Sequence, residues 1–362
     1  MPRVLMVTPR YFPEMGGTEM HVHEVSKRLL GRGYEVDILT TDRSGSLPAE
    51  DFSLGVRVRR VPAWPRQRDY YFAPAIYAEI ARAECDLIHV QGCHTFVAPL
   101  AMLAARQKRV PYVITFHSGG HSSVLRNSVR RLQWWVLRSL VSHAKHCVGV
   151  SRYEADRFST AMHIPPERFT VIPNGAGIRT ISNKPQINGG PLIVSIGRLE
   201  RYKGHHRLIQ AIPEVLRTVP NVRLRVLGEG PYRERLIALI DRLNLHSQVT
   251  VGGIPPTERE QLGSVLGSAA LVVLLSEYEA HPIAIMEALA LGRRVLVTDC
   301  SGFREMVDQH AVTAVPPDAS CTQIAAAVIA NLGKGPSSRP MCLPTWDECA
   351  DRLAGVYQSV LA

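Results

Sequence analysis

The chain has 362 residues, of which 46% are hydrophobic and 20% charged, and this size and composition favour two folded domains. Its apolar runs reach about eight residues, far short of the roughly 20 that a membrane-spanning helix needs. Its seven scattered cysteines contain no C-x-x-C pair, which argues against a disulfide framework or a zinc site. Most of the net charge of +10 lies in residues 1–180, where 24 Lys and Arg stand against 15 Asp and Glu.

Short β-rich runs alternate with amphipathic stretches along the chain, a rhythm typical of parallel sheets covered by helices. In the first half the predicted strands are 4–9, 35–40, 56–61, 87–91, 112–116, 146–150 and 169–172, and the predicted helices are 18–31, 95–107, 123–143 and 152–162. The second half restarts with predicted strands at 192–196, 222–227, 249–251, 271–275, 294–298 and 311–315, and it ends with a predicted helix at 346–361.

A stretch rich in Asn, Gly and Pro, residues 173–191, has the composition of a linker. We therefore predict an α/β protein of two doubly wound Rossmann-like domains, residues 1–178 and 179–344, that face a central cleft. The last helix, within 345–362, is expected to pack back on the first domain. The N-terminus leads straight into a buried strand without a signal sequence, so we expect a cytoplasmic protein.

The predicted helix 123–143 lies in a stretch, 87–153, with nine basic residues and no acidic one. It carries one apolar stripe, and Trp134 lies among arginines on other faces. That pattern suits an anionic membrane surface, and it suits equally a core-packed helix with a solvated basic face. No recognition motif for nucleic acid accompanies the charge, so we predict no such partner. The stripe is Leu125, Val129, Leu132, Val136 and Leu140, and the arginines are Arg126, Arg130, Arg131 and Arg138.

Two carboxylates flank the start of another predicted helix. Glu279 lies in the loop before Pro282, while Glu287 lies more than one turn inside the helix, which Gly292 ends. The spacing therefore separates the carboxylates along the helix axis instead of pairing them as an acid and a base. Amides at the helix start remain available to a phosphate between them.

Two further loops have the residue types that bind phosphate. Arg198 and Lys203 follow the predicted strand 192–196 at a helix start, which makes a cradle suited to a diphosphate. Gly16 and Gly17 follow the first strand and let backbone approach a ligand closely. Neither a G-x-G-x-x-G fingerprint nor a Walker P-loop is present.

Together these segments resemble glycosyltransferase family 4 (glycosyl transferases group 1), whose members are retaining enzymes of the GT-B fold. The resemblance rests on Glu279-x7-Glu287 with the following Ala-Leu-Ala-x-Gly, and on Gly-Arg-Leu-x-x-x-Lys-Gly at 197–204. It covers nearly the whole chain and is densest over 192–307. It implies that Glu279 contacts donor-sugar hydroxyls near the reacting carbon and that Glu287 binds the ribose.

The resemblance also implies roles for residues elsewhere in the chain. His117 would bind the 6-hydroxyl of the transferring sugar or nearby backbone, and Arg198 and Lys203 would neutralise the leaving diphosphate. Two positions depart from the family, since Gly177 replaces the usual acid after Asn174-Gly175 and His281 replaces an aromatic residue or glycine. The implied catalytic residues are Glu279, His117, Arg198 and Lys203; the donor-binding residues are Gly16, Gly17, Arg198, Lys203, Gly228, Glu229, His281, Pro282, Ile283 and Glu287; and the acceptor-side residues are Glu19, His94 and His121.

The sequence contains no D-x-D motif, so we expect neither a metal nor a cofactor, with cationic side chains and helix dipoles stabilising the leaving group. We predict a hexosyltransferase that uses a nucleotide-diphosphate sugar, with a UDP-sugar favoured and GDP-mannose also compatible. The expected acceptor is a saccharide or a lipid-linked molecule in glycan or cell-envelope polysaccharide biosynthesis. A nucleotide-sugar epimerase and a non-catalytic nucleotide-sugar-binding subunit of the same fold remain alternatives.

Overall fold

The computed structural model describes residues 1–53, 55–66, 71–93, 95–117, 124–178, 189–255, 258–334 and 343–362, with the backbone alone for 124–131. The chain divides into two compact units. The N-unit comprises described residues of 1–175 and 344–362, and the C-unit comprises those of 176–343; the sequence had predicted divisions after 178 and 344. No helix in the described ranges is long and apolar enough to cross a membrane.

The sheet of the N-unit has eight strands, all parallel except for one antiparallel edge pair. They are β1 (Arg3–Val7), β2 (Glu35–Asp42), β3 (Glu50–Ser53), β4 (Val56–Pro62), β5 (Leu87–Gln91), β6 (Tyr112–Phe116), β7 (His146–Gly149) and β8 (Phe169–Val171). Their order is β3-β4-β2-β1-β5-β6-β7-β8, and β3 runs against β4. The central strands are buried and mostly apolar because helices cover both faces of a parallel sheet.

The sheet of the C-unit has six strands, all parallel. They are β9 (Leu192–Ile196), β10 (Arg223–Leu227), β11 (Val249–Gly252), β12 (Leu271–Leu274), β13 (Val295–Thr298) and β14 (Thr313–Val315), in the order β11-β10-β9-β12-β13-β14. The strand order reverses beside β9, as it does beside β1 in the N-unit. Open α/β sheets bind ligands outside the carboxyl ends of the strands at such a switch point.

The helices follow the strands in alternation. In chain order they are α1 (Gly17–Leu30), α2 (Ala75–Arg82), α3 (Val97–Lys108), α4 (Val124–Val141), α5 (Arg152–Met162), α6 (His205–Thr218), α7 (Arg233–Arg242), α8 (Arg259–Ser268), α9 (Ile283–Ala290), α10 (Phe303–Asp308), α11 (Cys321–Leu332) and α12 (Trp346–Leu361). The predicted α/β fold class is confirmed, although the sequence analysis missed β3 and α2 and gave no bounds for the C-unit helices α6, α7, α8, α10 and α11. Both β3 and α2 are short, and β3 has three polar residues among its four.

The last helix, α12, belongs to the N-unit and packs on α1. A capping box begins it, in which Thr345 and Glu348 exchange side-chain hydrogen bonds with each other's backbone amides. Its apolar face is buried, and the hydroxyl of Tyr34 donates to the Ala354 carbonyl at 3.2 Å. Arg32 of the segment after α1 forms ion pairs with α12 carboxylates, including one at 2.5 Å to Asp351.

Candidate active site

The strongest cluster of charged side chains lies at the carboxyl edge of the C-unit sheet. Lys203 follows β9 in a 3-10 turn, and its ammonium donates to Glu279 Oε1 at 2.6 Å. Ser276, just after β12, donates its hydroxyl to the same oxygen at 2.7 Å. The Glu279 backbone amide donates to the Ser301 hydroxyl at 2.8 Å, which ties the loop to the end of β13. Three strand ends therefore fix one carboxylate beside one ammonium.

Little of either partner of this ion pair is exposed, since the side chains of Lys203 and Glu279 are 14% and 9% accessible. Burial by itself would lower the pKa of Lys203. The Glu279 carboxylate and the Tyr202 side chain outweigh that effect, so the pKa of Lys203 is raised. The Lys203 side chain therefore stays positively charged at pH 7.

The second predicted cation, Arg198, lies in the same loop with its side chain 35% exposed. Its guanidinium donates to the Tyr202 hydroxyl at 3.0 Å and pairs with Glu200 at 3.2 Å. These neighbours hold the guanidinium in place while leaving part of it open to solvent. The structure thus places Arg198 and Lys203 in one loop at the start of α6.

A buried histidine ties this loop to the sheet. His205 Nε2 lies 3.3 Å from the Arg198 carbonyl oxygen, so this nitrogen carries the proton, and Nδ1 accepts from the Ser195 hydroxyl at 2.8 Å. Burial, reinforced by the charge of Lys203, lowers the pKa of His205 to about 4. The ring is therefore neutral at pH 7 and fixes the Arg198 backbone without adding charge.

This histidine predicts acid sensitivity of the C-unit. Because the folded pKa of about 4 lies below the ordinary value of 6.5, the unfolded chain binds the proton first as the pH falls. The free energy of unfolding should therefore fall as the pH drops from the ordinary value toward the folded value. Urea titrations at pH 7 and pH 5 should show a smaller pH dependence for His205→Asn than for the parent protein.

The matched control is His310→Asn. His310 is exposed and has a left-handed backbone (φ 54°) that asparagine tolerates. This variant should keep the full pH dependence. An equal loss of pH dependence in both variants would show that the burial of His205 is not its origin.

The second predicted carboxylate, Glu287, is buried inside α9 and pairs with Arg259, the first residue of α8. The sequence analysis did not single out Arg259, because nothing in its local sequence indicates a partner 28 residues away. The loop residues His281 and Pro282 lead into α9, whose first residue is Ile283. Pro282 occupies the N-cap position instead of the first helical turn.

At the carboxyl edge of the C-unit sheet, the loops come so close together that two glycine positions leave no room for a Cβ. A Cβ built on Gly204 would lie 2.0 Å from the Leu275 carbonyl oxygen, and one on Gly228 would lie 2.0 Å from that of Gly197. Glu229 holds the same region, because its carbonyl accepts from the Leu199 amide at 2.8 Å. Its side-chain oxygen would lie 2.5 Å from a Cβ on Gly253.

In the N-unit, the predicted Gly16-Gly17 loop lies between β1 and α1. A Cβ on Gly16 would lie 2.6 Å from Glu19 Oε2, whereas one on Gly17 would meet nothing within 4 Å. Glu19, predicted on the acceptor side, is buried and pairs with Arg10 at 3.3 Å. The Glu19 side chain thus lies against the Gly16-Gly17 loop, and its carboxylate is buried.

The predicted histidine of the N-unit, His117, follows the end of β6. Its Nε2 lies 2.8 Å from Gln91 Oε1, at the end of the neighbouring strand β5. The other two predicted histidines, His94 and His121, lie outside the described residues. Within those residues, no group of three or more His, Cys, Asp or Glu side chains is arranged to hold a metal ion.

The basic helix α4 has a different orientation from the one predicted. Trp134 packs edge-on against Phe158 with ring centroids 5.4 Å apart, and the Arg157 guanidinium lies 5.3 Å from the Trp134 ring. Trp134 therefore faces the N-unit core, and its predicted place on a membrane-binding surface is wrong. The adjacent Trp135 is 70% exposed. Leu132 and Val136 of the predicted apolar stripe are also exposed, whereas Leu137 and Val141 are buried. Of the predicted arginines, Arg138 is exposed, and the side chains of Arg126, Arg130 and Arg131 are outside the described part of the chain.

Three known proteins resemble this chain in sequence or in fold. A phosphatidylinositol N-acetylglucosaminyltransferase subunit of Arabidopsis thaliana is 27% identical, over 99% of this chain and 82% of its own length. The GDP-mannose:cellobiosyl-diphosphopolyprenol alpha-mannosyltransferase of Xanthomonas oryzae pv. oryzae is 25% identical, over 85% of this chain and 81% of its own. The crystal structure of Anabaena HepE in complex with UDP and glucose has the same fold, with a TM-score of 0.79 and 18% identity over 99% of this chain and 100% of that one.

The family assignment comes from two adjoining regions. Residues 15–178 match the family described as Glycosyltransferase Family 4, and residues 177–340 match the one described as Glycosyl transferases group 1. The two regions correspond to the two Rossmann-like sheets, with the Lys203–Glu279 pair in the second. The chain therefore belongs to glycosyltransferase family 4, the GT-B glycosyltransferases that carry a glycosyl transferases group 1 domain.

Proposed function

We propose that this glycosyltransferase moves a hexosyl unit from a nucleotide-diphosphate sugar with retention of anomeric configuration and without a metal ion. The observation that carries the proposal is the Lys203–Glu279 ion pair, with Nζ and Oε1 2.6 Å apart at the carboxyl edge of the C-unit sheet. A fixed cation in a place of low exposure stabilises developing negative charge far better than one in water does. Arg198, in the same loop, supplies the second cation.

A UDP-sugar is the favoured donor, since the HepE structure contains UDP and glucose and has the same fold. GDP-mannose is the second candidate, because the Xanthomonas relative is named for it. The names of the Arabidopsis and Xanthomonas relatives point to lipid acceptors, phosphatidylinositol in one case and a diphosphopolyprenol in the other. We therefore propose that the acceptor is a lipid-linked molecule, either a saccharide carried on a lipid or a phosphorylated lipid itself.

In the proposed reaction the bond between the anomeric carbon and the diphosphate oxygen breaks, and an acceptor oxygen bonds to that carbon from the same face. Lys203 and Arg198 neutralise the departing diphosphate, one oxygen of which takes the acceptor's proton. Glu279 binds hydroxyls of the sugar, and Glu287 binds the ribose. Trapping of a glycosyl adduct on Glu279 would overturn the same-face route.

A donor panel tests this proposal directly. Calorimetric titration with UDP-glucose, UDP-N-acetylglucosamine and GDP-mannose, each with and without EDTA, should find one donor whose affinity EDTA leaves unchanged. NMR of the product should show the anomeric configuration of the donor. An epimerised donor would point to the epimerase alternative, and binding without transfer or hydrolysis would point to a non-catalytic role.

We also propose that the protein attaches to an anionic membrane surface through α4. Leu132, Trp135 and Val136 form an exposed apolar patch on that helix, and Arg138 lies beside it. An exposed aromatic next to basic residues suits the boundary between acyl chains and anionic headgroups. An enzyme with a lipid acceptor would gain from such attachment, because its substrate resides there.

Trp135→Ser should lower partitioning onto vesicles containing phosphatidylglycerol by about tenfold, since a buried tryptophan is worth more than about 1.4 kcal/mol. Flotation of the full chain with labelled vesicles measures the effect. Phe52→Ser is the control, because Phe52 is equally exposed at 70% and lies on β3 at the sheet edge. Equal effects of the two substitutions, or equal binding to neutral and anionic vesicles, would count against the attachment.

A further inference from the structure

One face of the N-unit sheet contains a column of polar side chains that the proposed reaction does not use. The Tyr357 hydroxyl lies 2.5 Å from His89 Nδ1, and His89 Nε2 lies 2.7 Å from the Thr115 hydroxyl. All three residues are fully buried. Because side chains alternate along a strand, Gln91 and His117 continue the same face toward the carboxyl edge. Burying a polar group costs free energy unless it is hydrogen-bonded, so a column of buried polar side chains calls for an explanation.

The upper end of this column fixes the protonation state of His117. Gln91 is buried, and its side-chain amide nitrogen points at the Met6 sulfur at 3.5 Å, which leaves its oxygen to face His117 Nε2 at 2.8 Å. The reverse orientation would set the amide oxygen against a thioether, which has no proton to donate. A carbonyl oxygen only accepts, so Nε2 carries the proton, and Nδ1 is the accepting nitrogen of the neutral ring.

A second histidine supports the ring from the side. His21 of α1 meets His117 edge to face, with ring centroids 4.7 Å apart and an interplanar angle of 66°. Its Nδ1 lies 2.9 Å from the Asn174 side-chain oxygen, and burial lowers the pKa of His21 to about 4. His21 is therefore neutral at pH 7, and it restricts the rotation of the His117 ring without repelling a proton on it.

We propose that Gln91 is a positioning residue, which holds His117 in the Nε2-protonated form and so fixes the tautomer in which the ring meets the donor sugar. The link to the sugar rests on the proposed function, whereas the protonation state of His117 does not. Gln91 itself touches no substrate in this proposal and acts only through the ring. A glutamine that merely filled space would leave the tautomer of His117 unaffected.

The tautomer is read directly by long-range proton–nitrogen NMR of the full chain labelled with ¹⁵N-histidine. The signals of His117 are those that disappear in His117→Ala. The parent protein should show a protonated Nε2. Gln91→Leu, which cannot accept, should give a mixture of tautomers and lower kcat/KM about tenfold, the size of one lost hydrogen bond. Gln91→Glu keeps the acceptor, so it should restore the Nε2-protonated form while its carboxylate moves the acid limb of the pH–rate profile to higher pH.

Thr115→Val is the matched control. It removes a polar group from the same column, bonded to His89 instead of His117, and should leave the His117 tautomer and kcat/KM within about twofold of the parent. A protonated Nδ1 in the parent protein, or an unchanged tautomer in Gln91→Leu, would overturn the role of Gln91. If no donor is turned over but the tautomer follows Gln91 as expected, the proposed function fails and the positioning role stands.

Discussion

Lys203→Met should reduce donor turnover by about 100- to 1,000-fold, the usual effect of removing one preorganised electrostatic group from an active site. The reason is that the Lys203 ammonium is held by Glu279 in a place where water cannot replace it. The loss should fall mainly on kcat, because in the proposed reaction negative charge develops on the diphosphate as the bond breaks. Single-turnover kinetics with the donor identified by the panel would measure it.

Stability measurements on the same variants separate chemistry from folding. Lys203→Met and Glu279→Gln should each destabilise the C-unit, since each leaves one low-exposure partner without its counter-charge, whereas the double variant should recover part of the loss. Arg217→Met is the control, because the Arg217–Glu214 pair is a surface pair with the arginine 77% exposed. If Lys203→Met kept full activity, the Lys203–Glu279 ion pair would have no role in the mechanism.

Gly204→Ala should be strongly damaging, with a destabilisation of about 2–5 kcal/mol. Gly204 has a left-handed backbone (φ 73°), and an added Cβ would lie 2.0 Å from the Leu275 carbonyl oxygen. Relief of that clash would push the Lys203 turn away from the end of β12, so donor affinity should fall together with stability. Chemical denaturation and donor titration measure the two effects.

Gly252→Ala is the control in the same unit. A Cβ at Gly252 would meet nothing within 4 Å, so both stability and donor affinity should stay close to those of the parent. A stable Gly204→Ala protein with normal donor affinity would show that the two loops have room to separate. In that case the close approach of the backbone at residue 204 would have no part in holding Lys203.

Local sequence patterns predicted most strands in their order along the chain. They also predicted which loops have the residue types that bind phosphate in a fold of this class. Apolar runs such as 192–196 identify buried strands, because burial constrains a few adjacent residues. That the glycine-containing loops with cations after these strands bind a phosphate stays a prediction. The β3 strand was missed because its four residues, Glu50–Ser53, have no apolar alternation to detect.

Helix rotation could not be read from the sequence. On α4 the predicted apolar stripe includes Leu132 and Val136, which are exposed, whereas Leu137 and Val141 are buried. Adjacent helical residues such as Trp134 and Trp135 point about 100° apart, so a small rotation of the helix changes which of them faces the core. Packing against Phe158 of α5 decides which tryptophan is covered. Which side of α4 is buried thus depends on residues of another helix, and the sequence pattern of α4 alone does not determine it.

Sequence by itself determined the fold class and the residues that line the strand ends, because those depend on local periodicity and on the handedness of parallel connections. Only the tertiary structure decided which side chains meet. Lys203 pairs with Glu279 across 76 residues, Glu287 with Arg259, and His117 with Gln91. The strand order of each sheet decides these partners, because it brings strand ends that are far apart in the sequence to one edge. The spacing of residues along the chain does not show which strands will be neighbours.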